Sequence, residues 1–331
     1  MRHPRFRKTA IITAAAMGSV LGLGACAGQD TDDASGQGAG KAASGQVVTV
    51  DTSKGKTEVP LKPVRVAALD NTSFATLKAF GVTPVAAPKP LLPKAGYEDW
   101  AKDGKIADAG THREPLFEAV NAAEPDLIIG GYRFTEHTEK LSKIAKTIDV
   151  SPSDEAPGGY VESLKKQTAT LGTIFGQEEK ARQLIAALDA ATSAAGKATN
   201  GESVFLGVAS AGKVDNGASR IGRLMAPLRL KNVLGAEGQD SSSVHNNSGL
   251  APETIAQLNP DWMILFDRDA AVGTSGTTPA QALVESQQAW AKTTFRTKNQ
   301  IVYLAPDFYV TEGIQAYTAA FGQVAEAFTK N

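Results

Sequence analysis

Apolar residues fall in short unbroken blocks along most of this chain, with helical patterns between them. Val64-Arg65-Val66-Ala67-Ala68-Leu69 predicts one buried strand and Leu127-Ile128-Ile129 a second. Residues 204–209, 262–266 and 301–304 repeat the signal in the second half. Blocks of this length suit strands covered on both faces. Asn71-Thr72-Ser73 opens a helical pattern that runs through Phe80 and stops at Gly81, and residues 136–146 predict another helix. Strand–helix alternation implies an α/β fold with largely parallel sheets.

From Gln177 to about Ala195 the chain holds neither Gly nor Pro and is rich in strong helix formers. A helix of that length spans roughly 28 Å, enough to bridge two lobes stiffly. An ordinary surface helix within one domain fits the same residues. A repeat favours two lobes. Glu118 precedes Pro125-Asp126 by seven residues, and Glu253 precedes Pro260-Asp261 by the same interval. Each Pro-Asp leads into an apolar strand. A short helix ends before the proline, which disfavours helical geometry in the residue ahead of it.

The N-terminus changes the picture from a plain α/β protein to an exported one. Arg2, Arg5, Arg7 and Lys8 precede an apolar run from Ala10 to Leu23, shorter than the about 20 residues of a membrane span. This is the pattern of a secretory signal, expected over 1–25. Its exit, Leu23-Gly24-Ala25-Cys26, resembles the lipobox of bacterial lipoproteins, which implies lipidation of Cys26, the single cysteine. One thiol also excludes an intramolecular disulfide. Residues 26–46 are poor in apolar side chains and read as a flexible tether. The remainder divides into an N-terminal lobe (47–176), the bridging helix (177–196) and a C-terminal lobe (197–331). The whole chain carries 34 basic and 35 acidic residues, and without the four basic leader residues the balance is 30 against 35, a net charge of −5. A nucleic-acid binder usually shows the opposite excess.

Lipobox, tether, paired Pro-Asp units and single bridging helix together resemble the iron–siderophore substrate-binding lipoproteins of bacterial ABC importers, a class that also includes vitamin B12 and haem binders. The resemblance covers essentially the whole chain. It implies two Rossmann-like lobes joined by one long helix, with the ligand cleft between them. It also implies a monomer anchored on the extracytoplasmic face of the membrane, with an ABC permease as partner and no intrinsic cofactor. In that class the repeated glutamates sit on the lobe tips and pair with permease arginines, which assigns docking to Glu118 and Glu253. A solvated glutamate in a first helical turn is the plainer alternative.

Ferric catecholates are anionic, and arginine suits their hard, delocalised oxygens. Arg133 follows the strand at 127–129, Arg220 lies in Asn216-Gly217-Ala218-Ser219-Arg220, and Arg268 closes the strand at 262–266. The ends of parallel strands are where such sheets bind ligands. All three match arginines of the catecholate-binding branch, with Arg223 able to replace Arg220. For each, a surface salt bridge is the alternative, with Asp267 or Asp269 the partner of Arg268. His245, in a polar loop, and Tyr309, after the strand at 301–304, match loops where part of that branch places an iron-binding histidine and tyrosine. Their resemblance implies direct ligation of ferric iron in a tetradentate siderophore complex, although both loops differ from the family pattern by a residue in length.

Haem, cobalamin and ferric hydroxamates are the other ligands the class admits. A secreted, lipid-anchored enzyme is the reading from outside it. The sequence has no Gly-x-Ser-x-Gly elbow and no Walker A run.

Overall fold

The structure is a computed structural model that describes residues 45–235 and 250–330. Strands β1 (Val47–Thr52) and β2 (Gly55–Pro60) form an antiparallel hairpin ahead of the first lobe. The first lobe is built on a parallel sheet of β3 (Val66–Ala68), β4 (Ala86–Ala87), β5 (Ala107–Asp108), β6 (Leu127–Ile129) and β7 (Thr147–Ile148), in the order β5-β4-β3-β6-β7. The order runs outward from β3 and reverses between β3 and β6, which opens a crevice at the carboxyl ends of those two strands.

The second sheet contains β8 (Ser203–Ser210), β9 (Lys213–Asn216), β10 (Lys231–Asn232), β11 (Trp262–Asp267) and β12 (Ile301–Leu304). Its parallel order is β10-β8-β11-β12, and β9 lies antiparallel on β8. The reversal here falls between β8 and β11. β3 and β6 are buried at every residue, and β8 and β11 at all but one. Apolar runs without alternation therefore marked two-sided burial in these four strands, while β12, at the edge of its sheet, alternates between half-buried Ile301 and Tyr303 and buried Val302 and Leu304.

Helix α1 (Phe74–Phe80) follows a 3-10 turn at Asn71–Ser73 and ends at Gly81, whose φ of 81° lets its N–H reach Leu77 and Lys78. The helix expected over 136–146 differs. A 3-10 segment covers Tyr132–His137, and an α turn only Thr138–Leu141. The chain must reach β7 by Thr147, so tight bonds from Lys143 to Lys140 and from Ile144 to Leu141 replace further helix.

The two Pro-Asp units adopt one device. Helix α2 (Phe117–Ala122) carries Glu118 ahead of the first. In both units the residue before proline is left-handed, Glu124 with φ 44° and Asn259 with φ 42°. Asp126 Oδ2 then accepts the N–H of Val64 (2.9 Å), just before β3. Asp261 Oδ2 accepts from Ser203 N (2.9 Å) and Ser203 Oγ (2.7 Å) at the start of β8. Each aspartate pins the neighbouring first strand of its sheet.

Helices α3 (Gly159–Phe175) and α4 (Glu178–Ala198) form an antiparallel pair between the lobes. Tyr160, Val161 and Leu164 of α3 join the core of the second sheet, while Leu171, Ile174 and Phe175 join that of the first. On α4, Ala181 packs with the first core, and Leu188 and Ala195 with the second. The pair fits closely, since a Cβ on Gly172 would stand 2.6 Å from that of Ala181. The 21 residues of α4 extend about 31 Å, so a helix long enough to link both cores does so, with α3 beside it.

Of the remaining elements, α5 (Ala218–Ile221) and α7 (Asp307–Thr311) lie at the lobe junction, α6 (Pro252–Leu258) packs inside the second lobe against Trp290, and α8 (Ile314–Lys330) packs along α4. Among the described residues no helix is long and apolar enough to cross a membrane, and no group of three His, Cys, Asp or Glu is placed to hold a metal ion.

Candidate functional site

The carboxyl end of β6 leads into Gly130-Gly131. A side chain at 131 would collide with Asp149, whose Oδ1 would lie 2.2 Å from the added Cβ. The next residue, Tyr132, is left-handed at φ 51°, an uncommon state for a bulky side chain. This turn directs the Tyr132 hydroxyl toward the second lobe, where Arg223 Nη1 donates to it at 3.0 Å. Arg133 follows on the same turn. Its Nη2 donates to the Tyr309 carbonyl (3.4 Å) and lies 3.8 Å from Glu312 Oε2.

In the second lobe, β9 ends at Asn216 and Gly217 crosses β8 so closely that a Cβ would stand 2.8 Å from the Gly207 carbonyl carbon. Asn216 Oδ1 accepts the N–H of Ala218 (2.9 Å) and starts α5. Ala218, Ile221 and Leu224 turn into the core. Arg220 and Arg223, three residues apart, share the other side of this helical segment.

Both arginines converge on Glu312. Its two carboxylate oxygens lie 2.5 and 2.6 Å from Arg220 Nη1, and Oε1 lies 3.1 Å from Arg223 Nη1. Glu312 ends α7 in a left-handed conformation and its side chain is 2% exposed. Burial pushes its carboxyl up, but the Arg220, Arg223 and Arg133 charges outweigh that and hold it below the usual range. Burial, reinforced by the Glu312 charge, pushes the Tyr132 phenol up to about 12. Arg223 is gripped a second time by Asp154, through Nε at 3.0 Å and Nη2 at 2.7 Å, and its guanidinium lies 4.2 Å from the centroid of Tyr160. The Tyr160 hydroxyl donates to the Glu312 carbonyl at 2.9 Å.

Tyr309 is buried within α7. Its ring stacks on Phe266 (centroids 5.2 Å apart, planes 12° apart), and the Arg133 and Arg220 guanidinium carbons lie 5.6 and 5.5 Å from its centroid. These are cation–π distances. The junction thus presents cationic and aromatic groups from both lobes, an arrangement suited to a flat, delocalised anion.

Of the expected site residues, Arg133, Arg220 and Tyr309 come together, and Arg223 joins Arg220 instead of replacing it. Arg268 makes its ion pair with Asp269 (3.3 Å) at the end of β11. His245 and Cys26 lie outside the described residues. Glu118 and Glu253 are exposed, one on α2 and the other on α6. Glu312, Tyr132 and Asp154 had no signal in the sequence. A glutamate before glycine reads as a solvated helix end, and only the fold carries it under three arginines.

A sequence profile of the family described as "Periplasmic binding protein" matches residues 66–308. The petrobactin-binding protein YclQ of Bacillus subtilis is 31% identical over 287 residues, which covers 84% of this chain and 86% of YclQ. The ferric-anguibactin-binding protein FatB of Vibrio anguillarum is 26% identical, over 68% of this chain and 70% of FatB. The crystal structure of YclQ superposes with a TM-score of 0.73, over 86% of this chain and all of that one. The periplasmic catecholate-siderophore binding protein VctP of Vibrio cholerae superposes with a TM-score of 0.71 at 25% identity, with the same coverage.

Proposed function

The chain belongs to the periplasmic binding protein family, and from that premise we propose that it is the extracytoplasmic receptor of an ABC importer for a ferric siderophore of catecholate type. The observation that carries this reading is the set of Arg133, Arg220 and Arg223, supplied by both lobes and gathered at their junction with Tyr132 and Tyr309. Fixed guanidinium charge and aromatic faces complement an anionic, planar catecholate. The names of YclQ, FatB and VctP, each a siderophore binder, point the same way.

Within this reading Cys26 carries the lipid anchor and Glu118 and Glu253 meet the permease. Arg268 lines the site, and His245 and Tyr309 complete the iron coordination of a tetradentate complex. Iron is cargo here, brought in by the siderophore. Because α3 and α4 each enter both cores, capture proceeds with small loop movements rather than wide closure.

The test is a titration of the purified protein with a ferric tetradentate catecholate, following tryptophan fluorescence and the iron charge-transfer band. Sub-micromolar quenching is expected, with a shift of the band if protein groups enter the iron sphere. Quenching without a shift removes His245 and Tyr309 as ligands and leaves the receptor. An absence of binding rejects the catecholate and turns the search to ferric hydroxamates, haem and cobalamin.

A further inference from the structure

We propose that Glu312 and Asp154 set the ligand charge this site accepts, by neutralising part of its arginine cluster in advance. The inference rests on the ferric-siderophore reading and refines it. A junction built only to attract anions leaves its guanidinium groups to water and ligand. Here a buried carboxylate already touches three of them, and a second carboxylate forks onto Arg223.

The local fold does not call for an acid at 312. The backbone N–H of Glu312 closes α7 on Phe308 (3.2 Å) and its carbonyl accepts from Tyr160. Neither contact involves the carboxylate. The carboxylate makes its contacts with Arg133, Arg220 and Arg223. Asp154 likewise spends its carboxylate on Arg223, although it is half-exposed and free to face water.

The charge count follows from these contacts. Three arginines against Glu312 and Asp154 leave one net positive charge at the junction, and Arg268 adds none while Asp269 holds it. A ferric centre with two catecholates is a monoanion, and with three it is a trianion. Buried charge is tolerated when it is matched and costly when it is not. One net positive charge matches the monoanion and leaves the trianion with a surplus. Both acids therefore act as counter-anions that lower the preference for the more highly charged complex.

The experiment compares the purified protein with its Glu312→Gln and Asp154→Asn variants, using ferric complexes of one bis-catecholate and one tris-catecholate at fixed ionic strength. The quantity read is the ratio of the two dissociation constants. Glu312→Gln keeps shape and removes charge, so it should move the ratio toward the tris-catecholate by about tenfold or more. Asp154→Asn should move it the same way by a smaller factor, since solvent screens that carboxylate. Asp154 is exposed, so its variant carries the test alone if Glu312→Gln does not fold. Equal losses for both complexes, or an unmoved ratio, overturn the inference and make the acids structural. Wild-type protein that binds neither complex overturns the catecholate reading itself, and the inference with it.

Discussion

Arg220 Nη1 lies 2.5 and 2.6 Å from the two carboxylate oxygens of Glu312, across the start of the last helix of the chain. Arg220 stands on the short helix after β9 and Glu312 at the end of α7, so the pair ties two loops of the second lobe beneath the first. Removing one partner of such a pair strands the other. Glu312 keeps Arg223 and Arg133, and Arg220 is partly exposed, so the full cost of an orphaned buried charge is not expected. Arg220→Ala should lower unfolding free energy by about 2–3 kcal/mol and weaken ferric-catecholate binding more than tenfold. Urea denaturation and the fluorescence titration measure the two effects. Full affinity in a stable Arg220→Ala protein would remove this arginine from the site.

A second prediction concerns pH. Asp70, two residues past β3 and ahead of the 3-10 turn at Asn71–Ser73, is fully buried, accepts from Thr72 N and Thr72 Oγ1 at 2.8 and 2.7 Å, and receives Gln167 Nε2 at 3.1 Å. Burial outweighs these bonds and, with Asp149 nearby, raises its carboxyl to about 7. Between the unfolded value near 4 and about 7, the folded chain binds the extra proton. Stability from this group therefore falls as pH rises through that window and is lost above it. Asp70→Asn is neutral throughout. The stability difference between wild type and variant should thus change by on the order of 3 kcal/mol from pH 4 to pH 7. Glu312 does not mask this, because it is present in both proteins and its own pH dependence cancels from the difference. Denaturation curves at several pH values check it, and parallel curves would show that Asp70 titrates normally.

Gly313 sits where the lobes touch. A Cβ there would lie 2.5 Å from the Thr72 carbonyl oxygen, a backbone atom with little room to give. Beside it, Asn71 Nδ2 donates to the Val310 and Thr311 carbonyls at 2.9 and 3.2 Å. Gly313→Ala should cost about 1–3 kcal/mol by overpacking and should open the junction around Glu312. A lowered melting temperature with weakened ligand binding is expected. Unchanged melting would show that the Thr72 loop yields freely.

The strands and α1 were legible because fully buried β-strands need unbroken apolar runs, and because Gly81 marks a left-handed cap. The Pro-Asp repeat was legible as a repeat, while its work was not: the aspartates bind Val64 and Ser203 some sixty residues earlier. Arg133, Arg220 and Arg223 were findable because they follow strand ends, where side chains reach a crevice. Glu312 was not, since its environment comes from three arginines far away in sequence. The sharing of α3 between two cores was also hidden, because its two halves look equally apolar and only packing assigns them to different sheets.

The exposed glutamates give the last prediction. Glu118 and Glu253 occupy the first turns of α2 and α6, each just ahead of its lobe's Pro-Asp unit. A carboxylate there is favoured by the helix dipole, worth about 0.3–1 kcal/mol, so Glu118→Ala and Glu253→Ala should change stability by less than that. If the pair docks on permease arginines, charge reversal at both positions should abolish ferric-siderophore uptake by cells and leave affinity in solution within about twofold, because rim charges govern encounter and orientation. Single reversals should give intermediate uptake, recovered in part by raising receptor abundance. Radioiron uptake set beside the fluorescence titration separates binding from delivery. Normal uptake by the double variant would leave both glutamates as solvated first-turn residues and place the docking surface elsewhere.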